Sequence, residues 1–124
     1  MIYGQVWRAI VRVGLDPYFG LIHESQRGRG SLVFDLIEEF RAPFGDRLLF
    51  GMLGRRFHPE IEDGGFLKMR CRRQLASAFV KCWTKKTGWR SQLKSPEQIL
   101  EHQAENLVKL ICRERDYQPF KMKW

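Results

Sequence analysis

His23, Asp35, Glu38 and Glu39 are the side chains of this 124-residue chain whose types and spacing could do chemistry. His23 closes the apolar stretch that begins at Gly20 and borders a polar, Gly-rich segment, residues 24–30. Asp35 and Glu38 lie three apart on a predicted helix and share a face, with Glu39 flanking it. Their neighbours Phe34, Leu36, Ile37 and Phe40 are apolar. Like charges in such a setting repel and cost stability unless a cation compensates, and a divalent metal, Arg41 or Arg47 could each do so. Carboxylate oxygens suit Mg²⁺ or Mn²⁺, and an imidazole ligand moves the preference toward Mn²⁺. In phosphodiester chemistry such an ion polarises a phosphoryl oxygen and activates the attacking hydroxyl. The bland alternative makes Glu38 and Glu39 surface acids and His23 a loop residue.

The remaining chemistry-bearing residues form no second constellation. Cys71, Cys82 and Cys112 are too widely spaced for a zinc pattern or a disulfide framework, so reduced thiols are expected. Cys82, beside Trp83, reads as a core thiol. His58 precedes a proline in a turn and reads as solvated. His102 and Glu105 share a helix face and read as an exposed pair.

The charge balance indicates a polyanionic partner, and nucleic acid is the usual one. Lys and Arg number 22 against 14 Asp and Glu, for a net charge of +8. Residues 1–62 carry eight basic and eight acidic side chains, whereas residues 63–124 carry fourteen and six. No acid lies between Gly64 and Pro96, a window holding nine Lys and Arg with Phe79, Trp83 and Trp89 among them. A solvated face ordinarily mixes signs. This window therefore reads as a phosphate-contacting surface with some aromatic stacking.

These residues need elements to position them, and the periodicity supplies mostly helices. Ile2, Val6, Ala9, Ile10 and Val13 have the spacing of one helical face, with Gly14 as its stop. Ser31 is placed to cap a helix through Leu32, Val33, Leu36, Ile37 and Phe40. Pro43 then ends or kinks it, and Leu48, Leu49, Met52 and Leu53 resume as a second helix or a bent continuation. Pro59 and Asp63-Gly64-Gly65 suggest a short hairpin within residues 57–70. Leu75, Phe79, Val80 and Trp83 return to helical spacing, with Gly88 as a stop. Ser95-Pro96-Glu97-Gln98 is a capping box that opens a helix through Ile99, Leu100, Gln103, Leu107, Leu110 and Ile111. The aromatic tail, residues 117–124, should pack back on the helices. The expectation is one all-α domain over residues 1–124, of four to five helices with at most one short β-hairpin. No apolar run reaches the length of a membrane span, and the N-terminus has Arg8 and Arg12 inside its apolar stretch with no small-residue cleavage site. A cytoplasmic setting is expected.

Three segments, GLDPYFGLIHE, SLVFDLIEEFRAPFGDRL and YQPFKMKW, resemble the helical C-terminal domain of the CRISPR-associated spacer-acquisition integrase and endonuclease family. The resemblance covers nearly the whole chain and is densest over residues 14–49. It implies a prokaryotic, metal-dependent DNA endonuclease that inserts new spacers into CRISPR arrays by transesterification, an antiviral defence. It implies His23 as a ligand of Mn²⁺ or Mg²⁺, with the acidic ligand in the Asp35–Glu38 segment. Glu38 is favoured as the direct ligand and Asp35 as supporting or co-ligating. Arg41 and Arg47 would sit near the scissile phosphate or pair with the acids. The resemblance also implies a homodimer and a second spacer-acquisition protein as partners, beside DNA. The family's third ligand is a glutamate well upstream of the histidine, and residues 1–22 contain none. The expectation is therefore a C-terminal fragment that lacks this glutamate and the N-terminal β-rich dimerisation domain.

Two other readings stand beside an enzyme fragment. One is a non-catalytic basic helical module that grips DNA through residues 68–94, the other an inert fragment that keeps only the fold. The DNA-contacting candidates are Arg41, Arg47, Arg72, Arg73, Lys81, Lys85, Lys86 and Arg90.

Overall fold

Helix α1 spans Ile2–Arg12 and buries Val6, Ala9 and Ile10, the stripe expected from its periodicity. The structure is a computed structural model describing residues 1–20, 30–55 and 57–122. Gly14 follows the helix at φ +79, a left-handed position that favours glycine.

Helix α2, Ser31–Phe40, starts one residue away from its expected cap. Gly30 occupies the cap position and Ser31 is already helical and buried. The reason is steric, because a Cβ at Gly30 would come within 2.9 Å of both the Trp7 ring and the Tyr3 hydroxyl of α1. Close approach of α1 therefore selects glycine, and the backbone of the preceding turn does part of a cap's job, with the Leu32 amide donating to the Pro17 carbonyl at 3.1 Å.

Pro43 bends the chain without ending it. Arg41–Asp46 forms a π-helical segment that joins α2 to α3, Arg47–Leu53. Proline cannot donate the usual helical hydrogen bond, and widening the turn absorbs the mismatch. The bent continuation is thus the alternative that the chain adopts.

The hairpin lies elsewhere than expected. Asp63-Gly64-Gly65 does make a turn, with both glycines at positive φ, but it closes only a single bridge between Ile61 and Leu67. The two-stranded ladder pairs β1, Thr87–Trp89, with β2, Gln92–Lys94. Gly88 therefore lies inside a strand, and α4, Met69–Thr84, ends before it. The connecting residues Arg90 and Ser91 sit at φ 46 and 64, the backbone of a tight hairpin turn, although neither is a residue usual there. Arg90 lies 4.8 Å over the Trp89 ring, a cation–π contact that helps hold the conformation.

Helix α5, Pro96–Ile111, carries the expected capping box in full, with the Ser95 hydroxyl and the Gln98 side chain each bonding the other's backbone amide. Helix α1 packs on α2 and α5, and α4 packs on α3 and α5. The core centres on Phe40, which is fully buried and stacks on Phe44 at 6.1 Å and on Phe120 at 5.4 Å. Phe79 and Trp83 of α4 close the cluster. Phe120 belongs to the tail, whose described residues 117–122 pack back as its aromatic content predicts, while Lys123 and Trp124 lie outside the described residues.

The His102 imidazole is half-buried with an edge-to-face contact to Trp89 at 5.0 Å, so the pair with Glu105 is not fully exposed as expected. Burial, followed by the cations Lys94 and Arg90, holds its pKa below 6.5. The unfolded chain then binds the proton more readily than the folded one. Stability should be retained above pH 6.5 and decline as the pH falls from there toward the lower folded value. Urea unfolding across that range should show the decline, and His102→Gln should remove this component.

Candidate functional site

The two acids on α2 that share a face differ in setting. Asp35 is half-buried, whereas the Glu38 side chain is 60% exposed and lies 3.5 Å from Arg41. Arg41 also reaches Asp46 at 3.9 Å, so it pairs with the acids. His23 lies outside the described residues. Among the described residues no group of three or more His, Cys, Asp and Glu could hold a metal ion. The donor chemistry of Asp35 and Glu38 nevertheless fits a hard divalent cation, because both offer oxygens one helical turn apart. The exposed pair with Arg41 is worth at most about 1 kcal/mol, little for such an ion to displace.

Glu39 is not the surface acid of the bland reading. Its carboxylate accepts hydrogen bonds from the Tyr117 hydroxyl, from Gln103 Nε2 at 2.9 Å and from the Phe120 amide at 2.6 Å. Gln103, fully buried on α5, also donates to the Gln118 carbonyl at 3.0 Å. Burial and the bond to Glu39 push the Tyr117 phenol well above its ordinary value, so the hydroxyl keeps its proton and remains a donor. The acid beside the expected ligand thus holds the chain's tail against α2. Sequence reasoning missed this role because its three donors lie 64 to 81 residues away.

Glu38 and Glu39 line a cleft of about 330 Å³ together with Pro43, Arg47, Lys121 and Met122. Pro43, Arg47 and Met122 also line a larger groove of about 610 Å³ between α3 and α4, so the two spaces adjoin. The groove presents Arg47, Arg55, Lys81, Lys85 and Lys86, and no acid among the described residues lines it. Arg55 and the three lysines form no ion pair among the described residues. Half-buried Cys82 lies on the same wall, and burial raises its pKa, which keeps it a thiol.

This geometry divides the expected basic surface. Lys81, Lys85, Lys86 and Arg47 converge on the groove. Arg72 instead lies 3.7 Å from Glu62 across the Gly64 turn, Arg90 stacks on Trp89, and exposed Arg73 lines neither space. The acid-free window is therefore not one face, since the fold brings earlier acids to part of it. Arg55, in the turn just past the end of α3, is a groove residue that the sequence reading does not single out.

The profile of the family described as CRISPR associated protein Cas1 matches residues 1–81. The chain belongs to the Cas1 family. The CRISPR-associated endonuclease Cas1 1 of Saccharolobus solfataricus is 38% identical over 120 residues, a match covering 97% of this chain and 28% of that protein. A solved Cas1 structure from Thermotoga maritima superposes with a TM-score of 0.86 at 21% identity, over 92% of this chain and 37% of that one. A casposase bound to integration product gives 0.82 at 20% identity, over 96% and 34%. The chain thus spans 28–37% of the length of these relatives, and the two structures establish a shared fold. No helix among the described residues is long and apolar enough to cross a membrane.

Proposed function

We propose that this Cas1-family chain is the helical C-terminal part of a metal-dependent DNA endonuclease and integrase that inserts spacers into CRISPR arrays. The observation that carries the reading is the junction at Arg47, where a cleft bearing Glu38 opens into a groove whose charged side chains, among the described residues, are all basic. A duplex end lying in the groove would meet Lys81, Lys85, Lys86 and Arg55 through its phosphates and present one phosphodiester to the cleft. The relatives, a CRISPR-associated endonuclease and a casposase bound to integration product, support this chemistry.

His23, Glu38 and Asp35 are the residues we assign to hold Mn²⁺ or Mg²⁺. When bound, such an ion supplies Lewis acidity toward the phosphoryl oxygen and the attacking hydroxyl. Arg47 orients the phosphate at the junction, and Arg41, released from Glu38, turns its guanidinium toward developing charge. His23 ligates as neutral imidazole, so acid pH weakens metal binding. The natural assembly includes a homodimer and a second spacer-acquisition protein.

A fluorescein-labelled branched DNA tests the reading. The chain should bind it with strong salt dependence; cutting, where it occurs, should require Mn²⁺ or Mg²⁺, and His23→Ala and Glu38→Ala should each abolish it while leaving binding intact. Absence of binding at low salt would overturn the DNA assignment. Metal-independent binding without cutting would favour the second reading, a DNA-gripping module, to which the Glu38–Arg41 pairing also lends weight.

A further inference from the structure

We propose that Lys121 contacts a DNA phosphate beside Glu38, and that Glu39, Tyr117 and Gln103 are positioning residues that hold it there. The inference rests on the DNA reading above and adds a residue and a device to it.

After α5 ends at Ile111, Arg113 turns the chain at φ 57, and residues 117–122 run back with no regular secondary structure of their own. Such a tail is ordinarily loose unless something ties it down. Here the Glu39 carboxylate receives the Tyr117 hydroxyl and the Phe120 amide, Gln103 holds the Gln118 carbonyl, and the Phe120 ring stacks against both Phe40 and Phe44. Ties on three tail residues within four positions are more than docking one aromatic ring requires.

Their consequence falls on the next residue. Lys121 directly follows the pinned Phe120, is exposed, and stands on the cleft wall with Glu38 and Arg47. It forms no ion pair among the described residues, whereas Arg41 is engaged with two acids, Glu38 and Asp46. An ammonium held at a cleft that adjoins a groove carrying five basic side chains extends the phosphate track to the acidic end. The four-carbon stem lets it follow a phosphate, while the fixed backbone sets where it reaches.

The test uses the 124-residue chain and a short fluorescein-labelled duplex, with anisotropy measured across a salt series. Lys121→Ala should weaken binding and lower the slope of log affinity against log salt by about 0.9, the loss of one phosphate contact, and Lys121→Arg should restore it. In a Tyr117→Phe background, Lys121→Ala should cost nothing further, because the cation is already misplaced. Hydrogen exchange supplies a readout without DNA: Tyr117→Phe should speed exchange of the Phe120 amide with helical content unchanged, and Lys121→Ala should not. An unchanged slope in Lys121→Ala, while the wild type binds and Lys85→Ala weakens it, overturns this inference and leaves the DNA reading standing. Additive effects of Tyr117→Phe and Lys121→Ala overturn the positioning role. Failure of the wild type to bind overturns the DNA reading itself.

Discussion

Replacing Lys81, Lys85 and Lys86 together by alanine should lower DNA affinity by about two to three orders of magnitude near 50 mM salt. The three side chains are exposed and line one wall of the groove. Each phosphate neutralised releases counterions, so removing three cations should flatten the salt slope by about 2.7. The fold should survive, because none of the three takes part in an ion pair among the described residues and alanine suits a helix at position 81. The informative control is Arg72→Ala with Arg90→Ala. These belong to the same acid-free window, but one faces Glu62 and the other covers Trp89, so the slope should stay unchanged. A composition-driven surface would treat both sets alike. Equal slopes in the triple variant and the control would remove the groove from the binding path.

That control also separates what the residues reveal alone from what only the fold reveals. The capping box at Ser95 and the buried stripe of α1 are local patterns, and the structure contains both as read. At Pro43 the chemistry predicts a disturbed helix but not whether it stops, because the outcome depends on Phe44 and Leu48 finding the core beyond it. Gly30 displaces Ser31 from the cap because α1 lies against it, and no pattern within residues 24–36 carries that information. The site divides in the same way. Asp35 and Glu38 share a face by helical arithmetic, whereas Glu39 takes its role from Gln103, Tyr117 and Phe120, which only tertiary packing brings near. His23 was singled out by its type and by family resemblance, and it lies outside the described residues.

Phe40→Ala should destabilise the fold by about 3–5 kcal/mol, among the largest losses a single substitution here can give. The ring is fully buried, and it touches Phe44 of the π-helical segment, Trp83 of α4 and Phe120 of the tail. Alanine leaves a cavity that none of the three can fill without surrendering another contact, since Phe44 and Phe120 are themselves stacked 5.8 Å apart. A domain of this size holds about 5–15 kcal/mol in total, so the urea midpoint should fall by a large fraction with the slope of the transition preserved. Glu39→Gln, at the adjoining position, makes the comparison decisive. An amide can accept through one oxygen only, so it gives up at least one of the three donors, each worth about 1.5–3 kcal/mol to a charged acceptor. That loss should appear first as local release of the tail, read as faster exchange at Phe120 before global unfolding begins. Phe40→Ala should instead bring exchange of α2, α4 and the tail to one common, lowered limit. If Glu39→Gln also collapses every element together, the tail is an integral part of the core, and α2 joins its acidic face and its aromatic centre in one cooperative unit.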